Sequence, residues 1–169
     1  MAFDELDMFD DDGESSEHTY LTFRVAQEEY AVPVVFVTEI VRLQKSHPIP
    51  DVPDYIRGVI NLRGQVIPIL DVRGRFGLGA TDRSDRTVVV VLEVEDAATG
   101  LLVDAVAEVV DFPPEDVDAS LARRGSSAQG MVKGVAKRDD RVTFILDPMP
   151  LLGAASQAAH EEPALAMGA

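Results

Sequence analysis

The residues that could do acid-base, nucleophilic or metal chemistry are few in this sequence and widely separated. Its three histidines, His18, His47 and His160, lie beside an acidic segment, in a proline-rich connector and near the C-terminal end. None has the spacing of a catalytic triad or of a zinc motif such as H-E-x-x-H. With no cysteine there is no thiol nucleophile, no disulfide and no cysteine-bound metal. The sequence therefore predicts no catalytic residue and no metal site.

Three glycines, Gly74, Gly77 and Gly79, come nearest to a nucleotide-binding motif. Their G-x-x-G-x-G spacing matches neither the dinucleotide fingerprint nor a phosphate-binding loop, which also requires a Lys-Ser/Thr pair. We therefore predict no cofactor.

Three aspartates, Asp71, Asp104 and Asp147, end or interrupt apolar runs. At such places a carboxylate can either work as an acid or base or accept hydrogen bonds from backbone N–H groups. Asp71 and Asp147 occupy equivalent positions of an internal repeat described below, and one active site would not need two copies. The spacing therefore favours turn capping.

The negative charge of the chain is concentrated at its start. The sequence has 15 basic and 30 acidic residues, a net charge of −15. Because residues 1–17 combine like charges with few apolar side chains, we predict that this tail is disordered, the alternative being an acidic and aromatic peptide that docks on a partner. An acidic chain without a basic stripe repels phosphate backbones, which excludes nucleic acid as a partner. The acids of the tail are Asp4, Glu5, Asp7, Asp10, Asp11, Asp12, Glu14 and Glu17.

Residues 1–17 also lack the basic region and apolar core of a signal peptide, and no apolar run approaches 18 residues. We therefore predict a cytoplasmic protein without direct membrane insertion.

The most informative stretch is Gly58 to Leu78, which reads as a β-hairpin followed by a helical start. Two runs rich in β-branched residues flank Arg63-Gly64. We expect a type I turn that ends in a left-handed Gly64, because a type I′ turn would also force Arg63 to positive φ. Pro68 has no N–H, so the second strand is predicted to be partly an edge or to carry a bulge.

This hairpin is repeated later in the chain. Gly134-Val135, Val142 and Ile145-Leu146-Asp147 match Gly58-Val59, Val66 and Ile69-Leu70-Asp71 at a constant offset of 76 residues. A second echo relates Val37-Thr38-Glu39-Ile40-Val41 to Val106-Ala107-Glu108-Val109-Val110. Two halves, residues 18–80 and 87–152, are indicated. The strand-rich pattern predicts a mainly β protein of two small packed barrels, with the last strand able to complete the first barrel.

Several other elements follow from local patterns. Alternation over Tyr20 to Val32 predicts a first hairpin, and from Pro33 an amphipathic pattern through Leu43 predicts a helix. Arg73 to Phe76 is predicted to form one helical turn closed by Gly77. Ser120 to Gln129 is predicted to be a mobile loop, and residues 153–169 an Ala-rich tail or weak helix.

These residues also carry a family resemblance. The pattern formed by Gly58, Asn61-Leu62-Arg63-Gly64, Pro68, Asp71, Arg73 and Phe76 resembles the signature of the CheW chemotaxis coupling proteins, with Val72 departing from a leucine. The resemblance extends from about Tyr20 to Leu152, so residues 18–152 are identified as a CheW-like domain. It implies two packed five-stranded SH3-like β-barrels with one or two short helices.

The resemblance also implies a function. A CheW-like protein is a non-enzymatic adaptor that couples the regulatory domain of a CheA-type histidine kinase to the cytoplasmic tip of a chemoreceptor, and so joins membrane-bound arrays through its partners. It places Val37, Glu39, Gly58 and Arg63 among the partner-binding residues. Because Glu108 repeats Glu39, an architectural role of Glu39 stays open. The alternative function is a small-ligand-binding or hydrolytic β-barrel.

Overall fold

The computed structural model describes residues 15–120 and 131–152, and most of these residues lie in β-strands. The prediction of a mainly β fold with short helices is confirmed. A 3-10 turn, Ser15–His18, precedes the first strand. The strands are β1 (Thr19–Val25), β2 (Glu28–Pro33), β3 (Val37–Arg42), β4 (Ile56–Leu62), β5 (Gln65–Asp71), β6 (Val88–Val94), β7 (Ala97–Val103), β8 (Ala105–Asp111), β9 (Val117–Asp118), β10 (Val132–Arg138) and β11 (Arg141–Leu146).

The strands form two sheets that exchange hairpins between the two halves of the sequence. The first unit, the sheet β3-β6-β7-β5-β4, takes β6 and β7 from the second half. The second unit, the sheet β8-β1-β2-β11-β10-β9, takes β1 and β2 from the first half, and the two-residue β9 makes it six-stranded. The expectation that the last strand completes the first barrel is wrong, because β11 pairs with β10 of its own half and with the exchanged strand β2.

The two units have the same strand order once each strand is replaced by its counterpart in the repeat. Both contain one parallel pair, β5 with β7 and β11 with β2. The first strands of the β4–β5 and β10–β11 hairpins shift register at matching places, between Ile56 and Gly58 and between Val132 and Gly134. The backbone N–H at the end of each hairpin donates an equivalent hydrogen bond. Asp71 N donates to Tyr55 O at 2.7 Å, and Asp147 N donates to Met131 O at 2.7 Å.

The largest hydrophobic core lies between the two units, since it takes buried side chains from both sheets. Phe23, Tyr30 and Leu146 of the second unit pack in it with Leu70 and Leu101 of the first. Each unit also has a smaller core of its own. That of the first unit is wholly aliphatic (Ile60, Leu62, Ile67, Ile69, Val89, Val91 and Leu102), and that of the second contains Tyr20, Ala31, Phe112, Ala136 and Ile145.

The prediction of a helix that begins at Pro33 is wrong. A single 3-10 turn, Val34–Phe36, follows Pro33, and the chain continues as strand β3. This segment is rich in β-branched residues, which lose side-chain freedom in a helix but fit a pleated sheet. Pairing with the buried strand β6 supplies the backbone hydrogen bonds that a helix would have made internally.

The turn at Arg63-Gly64 also differs from the expectation. Leu62 pairs directly with Gln65, which leaves a two-residue loop, and Arg63 and Gly64 have φ of 53° and 88°. This is a type I′ turn, whose twist matches that of the flanking strands better than a type I turn does. Arg63 accepts an unfavourable φ because the register leaves no third loop residue.

The expectations for Pro68 and for the helical turn are confirmed. Pro68 pairs with Val59 of β4, and β7 joins β5 only from Ile69 onward, so the start of β5 is an edge on that side. One helical turn, α1 (Val72–Arg75), follows β5, and Gly77 closes it with φ of 75°.

Several predictions fall on residues that are not described. The expected disorder of residues 1–17 lies outside the described residues up to position 14. The expected mobile loop lies outside them from residue 121 onward, and the C-terminal segment 153–169 lies outside them throughout.

Candidate functional site

The tip of the β4–β5 hairpin brings together two of the residues singled out in the sequence. The guanidinium of Arg63 forms an ion pair with the carboxylate of Glu39 on β3. The Arg63 side chain is 68% exposed and that of Glu39 only 19%. The tip is held by Asn61, whose Oδ1 accepts a hydrogen bond from Gly64 N at 2.8 Å. Arg63 is therefore oriented by its own chain and still open to a partner.

Val37 lies on the same edge strand as Glu39. β3 pairs with β6 on one side only, and its register shifts between Val37 and Glu39. The intervening Thr38 donates its hydroxyl to Val91 O at 3.2 Å, which ties the irregular part of β3 to the sheet. Val37 is half-buried against the central core. Its remaining surface and the Glu39-Arg63 pair thus belong to one edge of the first unit.

Gly58 is the one partner-binding candidate that the structure buries. It has φ of 126°, and a Cβ there would meet the backbone oxygen of His47. Two backbone hydrogen bonds join His47 and Val59, which places the proline-rich connector against β4. The direct role of Gly58 is to admit that connector.

A buried carboxylate stabilises the base of the same hairpin. Asp71, 1% exposed, accepts hydrogen bonds from Arg57 Nη1 at 3.0 Å, Thr81 N at 2.9 Å, Thr81 Oγ1 at 2.6 Å and Gly74 N at 3.3 Å. The predicted capping role is confirmed, because Asp71 is the N-cap of α1. The contacts of Arg57 and Thr81 could not be predicted from the sequence, since neither residue is close enough to Asp71 in the chain to suggest contact.

The other two candidate carboxylates also bind backbone N–H groups. Asp147 Oδ1 accepts from Met149 N at 3.1 Å, and Asp104 Oδ2 accepts from Ala26 N at 2.6 Å. Asp104 additionally lies 3.7 Å from Arg73 Nη1. These contacts agree with the predicted capping role and give none of the three aspartates a catalytic neighbour.

The tip of the β10–β11 hairpin has its own arginine-glutamate contacts. Arg141 lies 2.6 Å from Glu29 and 3.2 Å from Glu108, the repeat counterpart of Glu39. The hydrogen bond and charge of Glu29, followed by the charge of Glu108, raise the pKa of Arg141 above its ordinary value. Arg141 is not among the residues predicted from the sequence. The signal was available, because a glutamate repeated on an edge strand suggests a cation facing it in each unit.

No group of three or more histidine, cysteine or acidic side chains within residues 15–120 and 131–152 could hold a metal ion. In the same part of the chain, no helix has the length and apolarity needed to cross a membrane.

Comparison with known proteins gives consistent matches. A family model described as a CheW-like domain matches residues 19–156. The chain is 32% identical to the chemotaxis protein CheW of Rhizobium meliloti over 127 residues, 75% of this chain and 82% of the relative. It is 30% identical to CheW of Klebsiella aerogenes over 146 residues, 86% and 88% of the two chains. The crystal structure of the scaffolding protein TtCheW from Thermoanaerobacter tengcongensis matches with a TM-score of 0.69 and 32% identity, covering 77% of this chain and 84% of that one.

Proposed function

The chain belongs to the CheW-like domain family, and from this we propose that it couples a chemoreceptor to a CheA-type histidine kinase through the edge formed by Val37, Glu39 and Arg63. It is a non-enzymatic chemotaxis adaptor, as the family is. The comparisons give no support to the alternative of a ligand-binding or hydrolytic barrel. The proposal concerns the named partners and the residues that bind them.

The observation that carries the proposal is the state of Arg63. A guanidinium has five N–H donors in a planar fork and can therefore keep one carboxylate while it binds another acceptor. Arg63 is mostly exposed, while Glu39 is mostly buried. The pair therefore presents donors outward on a tight turn, and a lysine would not reproduce that geometry. These features support a contact with carboxylates or carbonyl oxygens of the receptor tip.

The mechanism of such an adaptor is geometric. By holding receptor and kinase together, the adaptor raises their effective concentration at each other's surface. A receptor conformation that binds the adaptor differently can then shift the population of active kinase. A stiff adaptor transmits such a shift better than a loose one, and the Asp71 contacts at the base of the hairpin stiffen the element that carries Arg63.

The test is receptor-dependent kinase activity, reconstituted with receptor-containing vesicles, kinase and either wild type or Arg63→Ala. We expect the free energy of unfolding of Arg63→Ala to lie within about 1 kcal/mol of the wild-type value, as is usual for surface changes. The variant should also bind the kinase. Receptor-dependent control of kinase activity should be lost. Arg86→Ala is the control, because it removes an exposed arginine that belongs neither to the proposed edge nor to a hairpin tip, and it should leave coupling intact.

Glu39→Lys separates the two interpretations of Glu39. If Glu39 serves partner binding, this variant stays folded and binds receptor or kinase more weakly. Unfolding of the variant would instead favour the architectural role shared with Glu108.

Full coupling by a folded Arg63→Ala protein would contradict the proposed site.

A further inference from the structure

A cleft at one end of the second unit corresponds to a filled part of the first unit. In the first unit, Leu62, Ile67 and Ala98 are apolar, and the first two belong to its aliphatic core. The repeat places Arg138, Thr143 and Glu29 at the same three positions of the second unit. These residues line an open cleft together with Glu108, Val110, Phe112 and Arg141. Polar side chains therefore surround a space that the first unit fills with its own side chains.

Arg138 brings to this cleft a cation that has no direct ion-pair partner among the described residues. Its Nη2 donates to Asp111 O at 2.7 Å, and its guanidinium carbon lies 5.5 Å from the centre of the Phe112 ring. Among the described residues, no carboxylate comes within ion-pair distance of it. The contact with the ring and the bond to Asp111 O hold the guanidinium at the cleft while leaving several of its five N–H donors free.

Thr143 adds a second unused hydrogen-bonding group. It is only 3% exposed, and its side chain lines the cleft. Within the described part of the chain its hydroxyl has no hydrogen-bond partner. The hydroxyl is not enclosed by protein and is open to the cleft, whereas the aliphatic side chain of the equivalent Ile67 offers no hydrogen-bonding group.

The acceptors of the cleft are already engaged. Arg141 holds Glu29 at 2.6 Å and Glu108 at 3.2 Å. What the cleft still offers is a guanidinium and a hydroxyl beside the apolar surface of Val110 and Phe112. Such a combination fits a negatively charged acceptor on a short apolar stem.

We propose that this cleft receives an aspartate or glutamate side chain of a partner protein, bound by Arg138 and Thr143 against Phe112. The site is on the second unit and does not depend on Arg63. A side chain from a partner would fill the space that Leu62 and Ile67 fill in the first unit. The contact explains why the chain keeps polar groups at a position where its own repeat shows that apolar ones fit.

The test is an NMR titration of the full chain with two blocked peptides, acetyl-Gly-Glu-Gly-amide and its uncharged match acetyl-Gly-Gln-Gly-amide, at constant ionic strength. We expect saturable shifts of the Arg138 Nε–H and of the Phe112 and Thr143 amides with the glutamate peptide only. Arg138→Gln and the nearly isosteric Thr143→Val should each weaken binding about tenfold, the loss of a charge-assisted contact. Lys137→Gln, which removes the adjacent exposed cation, is the control and should leave binding unchanged.

Three outcomes would overturn the proposal. The first is no saturable shift at these groups, and the second is equal response to the glutamine peptide. The third is an effect of Lys137→Gln as large as that of Arg138→Gln, which would show general charge attraction. Sodium propionate is a separate probe. If it saturates the same groups while the glutamate peptide does not, the ligand is a small free carboxylate and the partner side chain is excluded.

Discussion

The two hairpin tips of this chain are built by equivalent strands and reach equivalent glutamates, but they differ in where the arginine stands. In the first unit the turn residue Arg63 binds Glu39, and in the second unit Arg141, just after the turn, binds Glu108. The shared part is a link between an edge strand and a hairpin tip. The difference is that Arg63 projects from the turn itself, while Arg141 is held by two carboxylates.

This difference separates architecture from function. A contact present in both units closes each sheet and needs no partner to explain it. A feature that is present in only one of the two units needs another explanation, and it points to a contact outside the chain. By this standard the repeated glutamate is compatible with an architectural role and leaves both interpretations of Glu39 open, while the exposed Arg63 and the open polar cleft of the second unit are candidates for recognition.

The largest expected effect compares Gly58 with its repeat counterpart Gly134. A Cβ at Gly58 would meet backbone atoms of His47 and would require φ of 126°, whereas at Gly134 it would meet a side-chain atom, Val117 Cγ1, at 2.7 Å without a positive φ. We expect Gly58→Ala to lower the free energy of unfolding by about 3 kcal/mol and Gly134→Ala by about 1 kcal/mol. Urea denaturation at 25 °C measures both. Equal losses would show that the connector is not held against β4 as described.

The next effect compares the two capping aspartates. Asp71 is buried and accepts hydrogen bonds from Arg57, Thr81 and Gly74, while Asp147 is half-buried and accepts from Met149 N. Asp71→Asn removes the negative charge opposite Arg57. It also replaces one acceptor oxygen by an NH2 group, which then faces the N–H and O–H donors that the carboxylate had bound. We expect a loss of about 2 kcal/mol for Asp71→Asn and less than about 1 kcal/mol for Asp147→Asn. A thermal melt of each variant compares them, and the reverse order would contradict the buried network.

The smallest effect has the opposite sign. Thr143→Ile gives the second unit the side chain that the first unit has at Ile67, and it replaces a polar group that lines the cleft by an apolar one. We expect stability to rise by about 1 kcal/mol, measured by urea denaturation. Binding of the glutamate peptide should be lost in the same variant. A destabilised Thr143→Ile protein would mean that the polar cleft is required by the fold.

Local chemistry made much of the fold predictable. β-Branched alternation indicated the strands, Asp71 and Gly77 marked the helical turn, and Pro68 marked an edge. The pairing of strands was harder, because alternation shows which face of a strand is buried and not which neighbour it has. The hydrophobic patterns of β1–β2 and β6–β7 fit either unit equally well, so these patterns do not predict that the two hairpins are exchanged.

The errors also have physical causes. The segment after Pro33 fits a helical wheel, and the pairing with β6 that decides against the helix is distant in sequence. Arg63 was expected to avoid positive φ, but the direct pairing of Leu62 with Gln65 allows only a two-residue turn. In the candidate site, the repeat and the resemblance singled out Glu39 and Arg63 separately. Their contact depends on the curvature of the sheet, which local patterns do not specify.

The exchange of hairpins determines how this chain has to be assembled. A ribosome that has released residues up to about 80 has released β3, β4 and β5 but not the strands β6 and β7 that join them. Neither half of the chain contains a complete sheet, so a cut between the halves yields two fragments that need each other to fold. Co-expressed fragments should therefore reconstitute the protein, while each one alone should stay unstructured.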